Sequence, residues 1–280
     1  KCMTNPACSM TELLSIRGQV KADKPLIHCI TNHISINDCA NVVLAVGAKP
    51  IMAEHPGETA EITAMAQALA VNLANINDAR MASMLLSGKT AREKGIPAII
   101  DIVGVACSKM RLAFAERFIA TCRPQIIKGN MSEMKALMGV ASGAKGIDAG
   151  ERDAVTTANA DEEIALLKAL AQKTGAVIVA SGPVDIITDG TDTCLIENGC
   201  AMLAMLTGTG CMLNVLTAAC LAGGQGRTLT AAVLATAMMG ICGELAENER
   251  GTGTFHVLFL DALYSLTEDT FAERLRCSWR

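Results

Sequence analysis

Short apolar runs alternate with longer helical patterns through the first two thirds of the sequence, and this alternation restricts the fold more than any other feature. The runs predicted to be buried strands are 25–31, 49–53, 70–74, 97–103, 124–129 and 175–181. The helical segments between them are 35–46, 58–68, 78–94, 109–122, 132–138 and 161–174. Repeated strand and crossover helix predict a three-layer α/β/α fold, in which a mainly parallel central sheet is flanked by helices.

The pattern changes after Ser181. The segments "VDIITDG", "TDTCLIE" and "CAMLAML" follow one another with turn-sized gaps, which predicts antiparallel strands at the sheet edge. Helices are then predicted at 212–222, 228–248 and 254–267. Because no Pro- or Ser-rich linker interrupts the chain, residues 1–280 are expected to form a single domain. The Gly-rich stretch 139–153 is interpreted as a connection inside it, and the order of residues 1–10 is left open.

Composition excludes several classes of partner. The formal net charge is −4 and no basic cluster occurs, which argues against nucleic acid as a partner. The sequence has neither a signal-like apolar segment at its start nor an uninterrupted run of about 18 apolar residues, so no membrane association is expected. The 12 cysteines are scattered without a CxxC pair. We interpret them as small core residues of a cytoplasmic protein.

Polar residues at predicted strand ends are the candidates for function, because ligands of open α/β sheets bind beyond the carboxyl ends of the strands. Asp101 lies within the apolar run "IIDIVG", where an unpaired carboxylate would be costly to bury. A hard cation such as Mg²⁺, or a cleft at the end of the strand, would relieve that cost. The alternative is that Asp101 caps a helix or pairs with Lys109.

The segment "IIKGNMSEMKAL" follows the next predicted strand. Lys128 ends that strand, Asn130 or Ser132 can cap the following helix, and Glu133 falls in its first turn, where the helix dipole favours an anion. Taken alone this is an ordinary capping pattern. Together with Asp101 it would place two carboxylates and a cation at neighbouring strand ends, which suits chemistry on a metal-bound phosphate.

A third candidate is the turn Ser181–Gly182–Pro183 in "VASGPVD". It follows a predicted strand, and its hydroxyl and backbone N–H groups could face a phosphate. Ordinary turn chemistry explains the same residues equally well, so this signal is weak.

The stretch "MLTGTGCMLNVL" (205–216) places Gly208, Thr209 and Gly210 before an apolar helix predicted to begin at Cys211 or Met212. Glycines let successive N–H groups converge, and the helix terminus adds unpaired amides and a positive dipole end. The stretch is therefore a candidate anion hole for a transferring phosphoryl group. A thiol at that terminus is expected to have a lowered pKa and to assist in removing a proton, although a packing role explains Cys211 as readily.

In order along the chain, the motifs "PLIHCITN", "LAVGAKPIMA", "IIDIVG", "IIKGNMSEMKALMGV", "ASGPVD", "LTGTGCMLNV" and "GTGTF" resemble those of the hydroxyethylthiazole kinase family, which is ribokinase-like. The ordered set is specific, whereas no single motif is. The resemblance implies a ribokinase-like fold and a homotrimer with active sites at subunit interfaces. It also implies transfer of the ATP γ-phosphoryl group to the primary alcohol of 4-methyl-5-(2-hydroxyethyl)thiazole with Mg²⁺, a step of thiamine synthesis and salvage.

The resemblance also implies roles for residues on the acceptor side. Met52 would line the thiazole site with Asn32 nearby, and a thioether suits a sulfur heteroaromatic ring. Gly208 would contact the substrate, and the backbone of 208–211 would form the anion hole. Cys211 stands where most ribokinase-like kinases have an aspartate base.

On the nucleotide side, the resemblance implies that Asp101 and Glu133 organise Mg²⁺, partly through water. Lys128 and Ser181 would contact the ATP phosphates, with Asn130 beside them. Lys128 stands where the family usually has Arg, so the charge is kept but the bidentate fork is lost. Ser181 replaces a usual Thr and keeps the hydroxyl.

Two further departures keep alternatives open. Ile102 replaces a usual Pro, and "VACSKMR" (105–111) replaces a small, Gly-rich continuation. One alternative is another ribokinase-like activity, such as a hydroxymethylpyrimidine kinase or a nucleotide-hydrate dehydratase, although these generally carry Asp at the position of Cys211. The other is a catalytically silent regulatory protein that binds the thiazole or a nucleotide.

Overall fold

The computed structural model describes residues 8–140 and 160–280, so part of residues 1–10 and most of the Gly-rich connection lie outside it. Its strands are β1 Leu26–Ile30, β2 Lys49–Ile51, β3 Ala68–Asn72, β4 Ala98–Asp101, β5 Ile126–Asn130, β6 Val177–Ser181, β7 Asp185–Thr188, β8 Thr193–Ile196 and β9 Cys277–Trp279. Its helices are α1 Met10–Asp23, α2 Ile36–Ala45, α3 Thr59–Met65, α4 Asp78–Lys94, α5 Lys109–Cys122, α6 Met131–Leu137, α7 Ala160–Thr174, α8 Met202–Met205, α9 Thr209–Gly224, α10 Thr228–Ala246, α11 Thr252–Ser265 and α12 Glu268–Arg274.

The nine strands form one sheet in the order β2-β1-β3-β4-β5-β6-β7-β8-β9. Strands β1 to β6 pair in parallel, and β7, β8 and β9 pair antiparallel at the far edge. The mainly parallel sheet and its antiparallel edge are therefore as predicted. The prediction that "CAMLAML" is a strand is wrong, because this segment contains the short helix α8, and the third antiparallel strand is instead β9.

Strand residues alternate between two apolar cores, one on each face of the sheet. In β4, Ile99 packs with α1, α2, α9, α10 and α11, whereas Ile100 packs with α4, α5, α6 and α7. Neighbouring strands repeat this alternation, because successive side chains of a strand point to opposite faces. The result is the predicted three-layer α/β/α arrangement.

Local sequence sets several helix boundaries. Asn77 and Ser108 cap α4 and α5, since their side chains accept hydrogen bonds from the backbone N–H groups of the first turns. Helix α4 ends at Gly95, whose φ of +67° is the left-handed conformation that closes helices.

Helix α10 is long and apolar enough to cross a membrane by length and composition, but 83% of its most apolar window is buried inside the fold. It packs against α9 and α11, as a core helix does. Ten of the eleven cysteines in the described part of the chain are free thiols, and eight of these are buried. The eleventh, Cys277, is disulfide-bonded, which the sequence interpretation did not anticipate.

Candidate active site

The parallel strands bring their polar end residues to one edge of the sheet. Asn72 ends β3, Asp101 ends β4, and Ser181 ends β6. In the strand register Asn72 lies beside Asp101, Asp101 beside Lys128, and Asn130 beside Ser181. Residues separated by more than 100 positions in the chain therefore form one row.

Asp101 and Lys128 form a buried ion pair in this row. Lys128 Nζ lies 2.8 Å from Asp101 Oδ2, and the two side chains are 5% and 3% exposed. Burial alone would lower the pKa of Lys128, but the charge and hydrogen bond of Asp101, together with the nearby Cys211 and Glu133, raise it overall. Backbone N–H of Val103 donates to the other Asp101 oxygen at 3.1 Å. The partner of Asp101 is therefore Lys128 and not Lys109.

Glu133 completes a capping box at the start of α6. Its Oε2 accepts from Asn130 N at 2.7 Å, and Asn130 Oδ1 accepts from Glu133 N at 3.0 Å. Asn130, and not Ser132, is thus the cap. Glu133 Oε1 also accepts from Gly104 N at 2.8 Å, which fixes the loop after β4. Desolvation and the nearby charge of Asp101 raise the pKa of Glu133 to about 7, although the hydrogen bonds from the backbone N–H groups of Asn130 and Gly104 act to lower it.

The Gly-Thr-Gly stretch forms the mouth of α9, but the helix begins at Thr209, two residues before the earliest predicted start. Gly208 precedes it with φ of +86°, and no side chain caps the helix. The first helical hydrogen bond runs from Met212 N to Gly208 O at 2.8 Å. The amides of Thr209, Gly210 and Cys211 precede that bond and have no acceptor within the helix.

This mouth opens onto the buried ion pair. A Cβ atom built on Gly210 would lie 3.1 Å from Lys128 Nζ, which places the first turn of α9 against that ammonium group. The unpaired amides, the positive end of the helix and Lys128 therefore act on the same space. Such an arrangement favours a phosphate or another multivalent anion.

The thiol of Cys211 is 8% exposed and lies among polar groups. Asn72 Nδ2 donates to its Sγ at 3.4 Å, and the side chains of Ser35 and Asn32 lie close enough to act on its pKa. Burial, reinforced by the negative charge of Asp101, raises the pKa of Cys211 above its ordinary value. The expectation of a lowered pKa at the helix terminus is thus wrong in this structure, because desolvation outweighs the dipole.

Asn72 is a site residue that the sequence interpretation missed. Its Nδ2 donates to both Asp101 Oδ2 at 3.2 Å and Cys211 Sγ at 3.4 Å, and so links the carboxylate to the thiol. The sequence signal was an amide residue at the end of the apolar run "ALAVN", and the structure shows that this amide is fully buried. A buried amide is costly unless its hydrogen bonds are made.

Of the two residues predicted to bind the acceptor, Asn32 lies near the thiol. Asn32 follows β1 and acts on the pKa of Cys211, and its Oδ1 accepts from Asn75 Nδ2 at 2.7 Å. Met52 directly follows β2, the neighbour of β1, and is half-buried against the core. These loops close the β1 side of the site.

On the β6 side lies a cavity of about 640 Å³. Its walls include four residues predicted from sequence, Asn130, Ser181, Thr209 and Gly210. The volume is within the range of about 300–1,000 Å³ typical of small-molecule sites. Lys128 is not among its lining residues, and borders it through the contact with Gly210.

Asp185 is a second residue that sequence reasoning missed. Its carboxyl group lines the cavity and accepts a hydrogen bond from Gly182 N at 3.0 Å. Burial raises the pKa of Asp185 to about 7, although this hydrogen bond and the charge of Lys128 act in the opposite direction. The Ser181 hydroxyl donates to Gly129 O at 3.3 Å, so both ends of the "SGP" turn are fixed.

Asp101 and Glu133 are the residues here that could hold a divalent cation. The two groups are close enough to interact, because the negative charge of Asp101 raises the pKa of Glu133. Within residues 8–140 and 160–280, no three His, Cys, Asp or Glu side chains gather as a metal cage. Two carboxylates suit the chemistry of Mg²⁺, which keeps several waters and binds one or two protein carboxylates plus substrate phosphates.

A model of the hydroxyethylthiazole kinase family matches residues 18–269. The chain belongs to the hydroxyethylthiazole kinase family. Hydroxyethylthiazole kinase 2 of Clostridium botulinum strain Hall is 54% identical over 263 residues, which cover 94% of this chain and 98% of the relative. Hydroxyethylthiazole kinase of Ruminiclostridium cellulolyticum is 40% identical over 270 residues, covering 95% and 96% of the two chains. The resemblance found in the sequence motifs is thereby confirmed, and the chain is an enzyme of this family.

Solved structures agree with this family assignment. A hydroxyethylthiazole kinase protein from Pyrococcus horikoshii OT3 matches with a TM-score of 0.86 and 29% identity, covering 96% of this chain and 99% of that one. Pyridoxal kinase from Staphylococcus aureus, in complex with AMP-PCP and pyridoxal, matches with a TM-score of 0.62 over 92% and 98% of the chains. At 11% identity the second likeness concerns the fold alone, and it supports the ribokinase-like architecture.

Proposed function

We propose that the protein transfers the γ-phosphoryl group of ATP to the primary alcohol of 4-methyl-5-(2-hydroxyethyl)thiazole, a reaction of thiamine synthesis and salvage. The observation that supports this most is the mouth of α9, whose unpaired amides lie against Lys128. Phosphoryl transfer depends mainly on positioning and on stabilisation of charge, and this mouth provides both.

The two substrates would approach from opposite sides of that mouth. The nucleotide occupies the cavity walled by Asn130, Ser181, Thr209 and Gly210, with its phosphates toward Lys128. The thiazole alcohol occupies the β1 and β2 side, near Asn32 and Met52, where Cys211 also lies. In-line transfer requires the attacking and leaving oxygens on opposite sides of the phosphorus atom, and this division satisfies the requirement.

The amides of 208–211 would hold the oxygens of the migrating phosphoryl group. A bond forms from the alcohol oxygen to phosphorus while the bond to the ADP oxygen breaks, and the alcohol proton passes to the product phosphate or to water. Cys211 orients the alcohol as a neutral thiol, because its raised pKa keeps it protonated near neutral pH. Its sulfur already accepts from Asn72, which leaves the S–H group available to the substrate.

Mg²⁺ would be held by Asp101 and Glu133, partly through water, and would neutralise charge on the phosphates. Lys128 holds Asp101 in place and supplies a second positive charge next to the mouth. Since Lys128 lacks the bidentate fork of Arg, it acts on phosphate as a point charge.

We further propose that the protein assembles as a homotrimer with active sites at subunit interfaces. Ile34 and Met205, which flank the acceptor side and the Gly-Thr-Gly mouth, are each 66% exposed. Val257 and Tyr264 on α11 are 59% and 74% exposed. Large apolar side chains grouped around a site favour burial by a partner. Sedimentation equilibrium should give three times the monomer mass, and a monomer active at high dilution would contradict this assembly.

The central experiment is a phosphorylation assay with the purified protein, the thiazole alcohol and ATP, with and without Mg²⁺. We expect ADP and the thiazole phosphate in equal amounts, and only when Mg²⁺ is present. Activity on hydroxymethylpyrimidine with none on the thiazole would indicate a different ribokinase-like kinase. Binding of both ligands without ATP consumption would indicate a silent regulator, and the proposed reaction would be wrong.

A further inference from the structure

Arg80 is a buried cation without a role in the reaction described above. It lies in the first turn of α4 and is 1% exposed, which makes it one of the largest fully buried side chains among the described residues. Burying a guanidinium group is costly unless its charge is paired and its donors are satisfied. The structure therefore has to provide acceptors for it.

Two loops at the carboxyl edge of the sheet supply hydrogen-bond acceptors, and a third supplies a charge partner. Arg80 Nη1 donates to Ala74 O and Asn75 O, both at 2.8 Å, in the loop after β3. Arg80 Nη2 donates to Thr31 O in the loop after β1. Arg80 Nε lies 3.3 Å from Glu54 Oε2 in the loop after β2, as an ion pair without a hydrogen bond. One planar group thus ties together three segments that the chain order keeps apart.

The tied loops carry the residues of the acceptor side. Asn32 directly follows Thr31, and its Oδ1 accepts from Asn75 Nδ2 at 2.7 Å. Met52 stands two residues before Glu54. A shift of Arg80 would therefore move the walls of the acceptor site, whereas the cavity near β6 shares none of these contacts.

We propose that Arg80 is a positioning residue that sets the geometry of the acceptor-alcohol site and so determines affinity for the thiazole. This inference rests on the proposed function, because it assumes that the thiazole binds beside Asn32 and Met52. The fixed fork of a guanidinium can serve several acceptors at once in defined directions. An ammonium group donates from a single nitrogen and cannot reach the same set.

The test compares Arg80→Lys with a matched control in the same helix, Arg92→Lys. Arg92 is exposed and donates to a single carbonyl, Thr121 O at 2.8 Å. For Arg80→Lys we expect the KM for the thiazole alcohol to rise about tenfold or more, with the KM for ATP unchanged within about twofold. For Arg92→Lys both constants should match those of the wild type.

Calorimetric titration separates this proposal from the proposed function. Wild-type protein that binds neither the thiazole alcohol nor ADP would overturn the proposed function. If the wild type binds both, Arg80→Lys should weaken binding of the alcohol and leave ADP binding intact. Equal weakening of both ligands, or of neither, would overturn the role assigned to Arg80.

A second variant keeps the test valid if Arg80→Lys does not fold. Glu54→Gln removes the negative charge that Arg80 shares with His33, whose Nε2 lies 2.8 Å from Glu54 Oε1, and leaves the three carbonyl acceptors of Arg80 in place. It should raise the KM for the alcohol by a smaller factor, about threefold, in the same selective way. An unchanged KM for the alcohol in a folded Glu54→Gln protein would contradict the proposal.

Discussion

Replacement of Gly208 by Ala tests the helix mouth most directly. Gly208 adopts φ of +86°, a conformation that side-chain-bearing residues rarely adopt. A Cβ atom at this position would also lie 2.5 Å from Ser35 Cβ, at the N-terminus of α2. Both the backbone angle and the space around it therefore exclude a methyl group.

The two effects can be estimated separately. Left-handed backbone costs a residue such as Ala about 1–2 kcal/mol. Two carbon atoms approach favourably to about 3.5–4.0 Å, so that relief of the overlap needs a shift of roughly 1 Å. Overpacking of this kind costs about 1–3 kcal/mol. The sum is a destabilisation of about 2–5 kcal/mol, and a displacement of about 1 Å at the mouth reduces turnover roughly a hundredfold.

Urea denaturation and steady-state phosphorylation of the thiazole alcohol measure the two losses. Gly253→Ala is the matched control, because a Cβ there meets nothing within 4 Å. It should leave turnover unchanged and raise stability by at most about 1 kcal/mol, because Ala is favoured over Gly in a helix. Adding Ser35→Gly to Gly208→Ala removes the clashing atom and should recover the overpacking part of the stability, but not the part due to φ. Wild-type stability and turnover in Gly208→Ala would refute the reasoning.

Three further variants test the rest of the site. Cys211→Ala should reduce kcat about a hundredfold with little change in affinity for the thiazole, because the alcohol loses the group that orients it. Wild-type turnover in an assay at saturating alcohol would remove Cys211 from the mechanism. Lys128→Met leaves buried Asp101 without its partner and should lower the free energy of unfolding by about 3–5 kcal/mol in urea, whereas Lys128→Arg should lose far less. Asp185 has a pKa raised to about 7, so the folded state binds its proton more tightly than the unfolded state, and its contribution to stability decreases as pH rises from about 4 to 7. Asp185→Asn should therefore be more stable than the wild type between pH 5 and pH 8. We expect a difference of only about 1–2 kcal/mol, because the cavity admits water that screens the carboxylate. A difference that does not change with pH would contradict the raised pKa.

Several features of this protein follow from the sequence alone. The alternation of apolar runs with helical segments determined the parallel sheet and its two helical layers, because the period of side-chain burial is a local property. The sequence also indicated a helix cap at Asn130 or Ser132 with Glu133 in the first turn, and the structure shows that Asn130 and Glu133 form a capping box. The polar ends of β4, β5 and β6 marked the edge of the sheet that carries the site.

Other features were decided by tertiary structure. The segment "CAMLAML" folds as α8 because β9, from the end of the chain, occupies the sheet position beside β8. Asp101 pairs with Lys128, and Asn72 joins Asp101 to Cys211, through strand register and through contacts across 139 residues.

The protonation states of the site residues also depend on tertiary structure, because they depend on burial. The sequence placed a thiol at a helix terminus and predicted a lowered pKa, but enclosure by neighbouring elements raised it. Arg80 gave no signal because its acceptors are backbone carbonyls of distant loops. Desolvation and long-range hydrogen bonds arise only when the chain is packed, so local sequence patterns do not contain them.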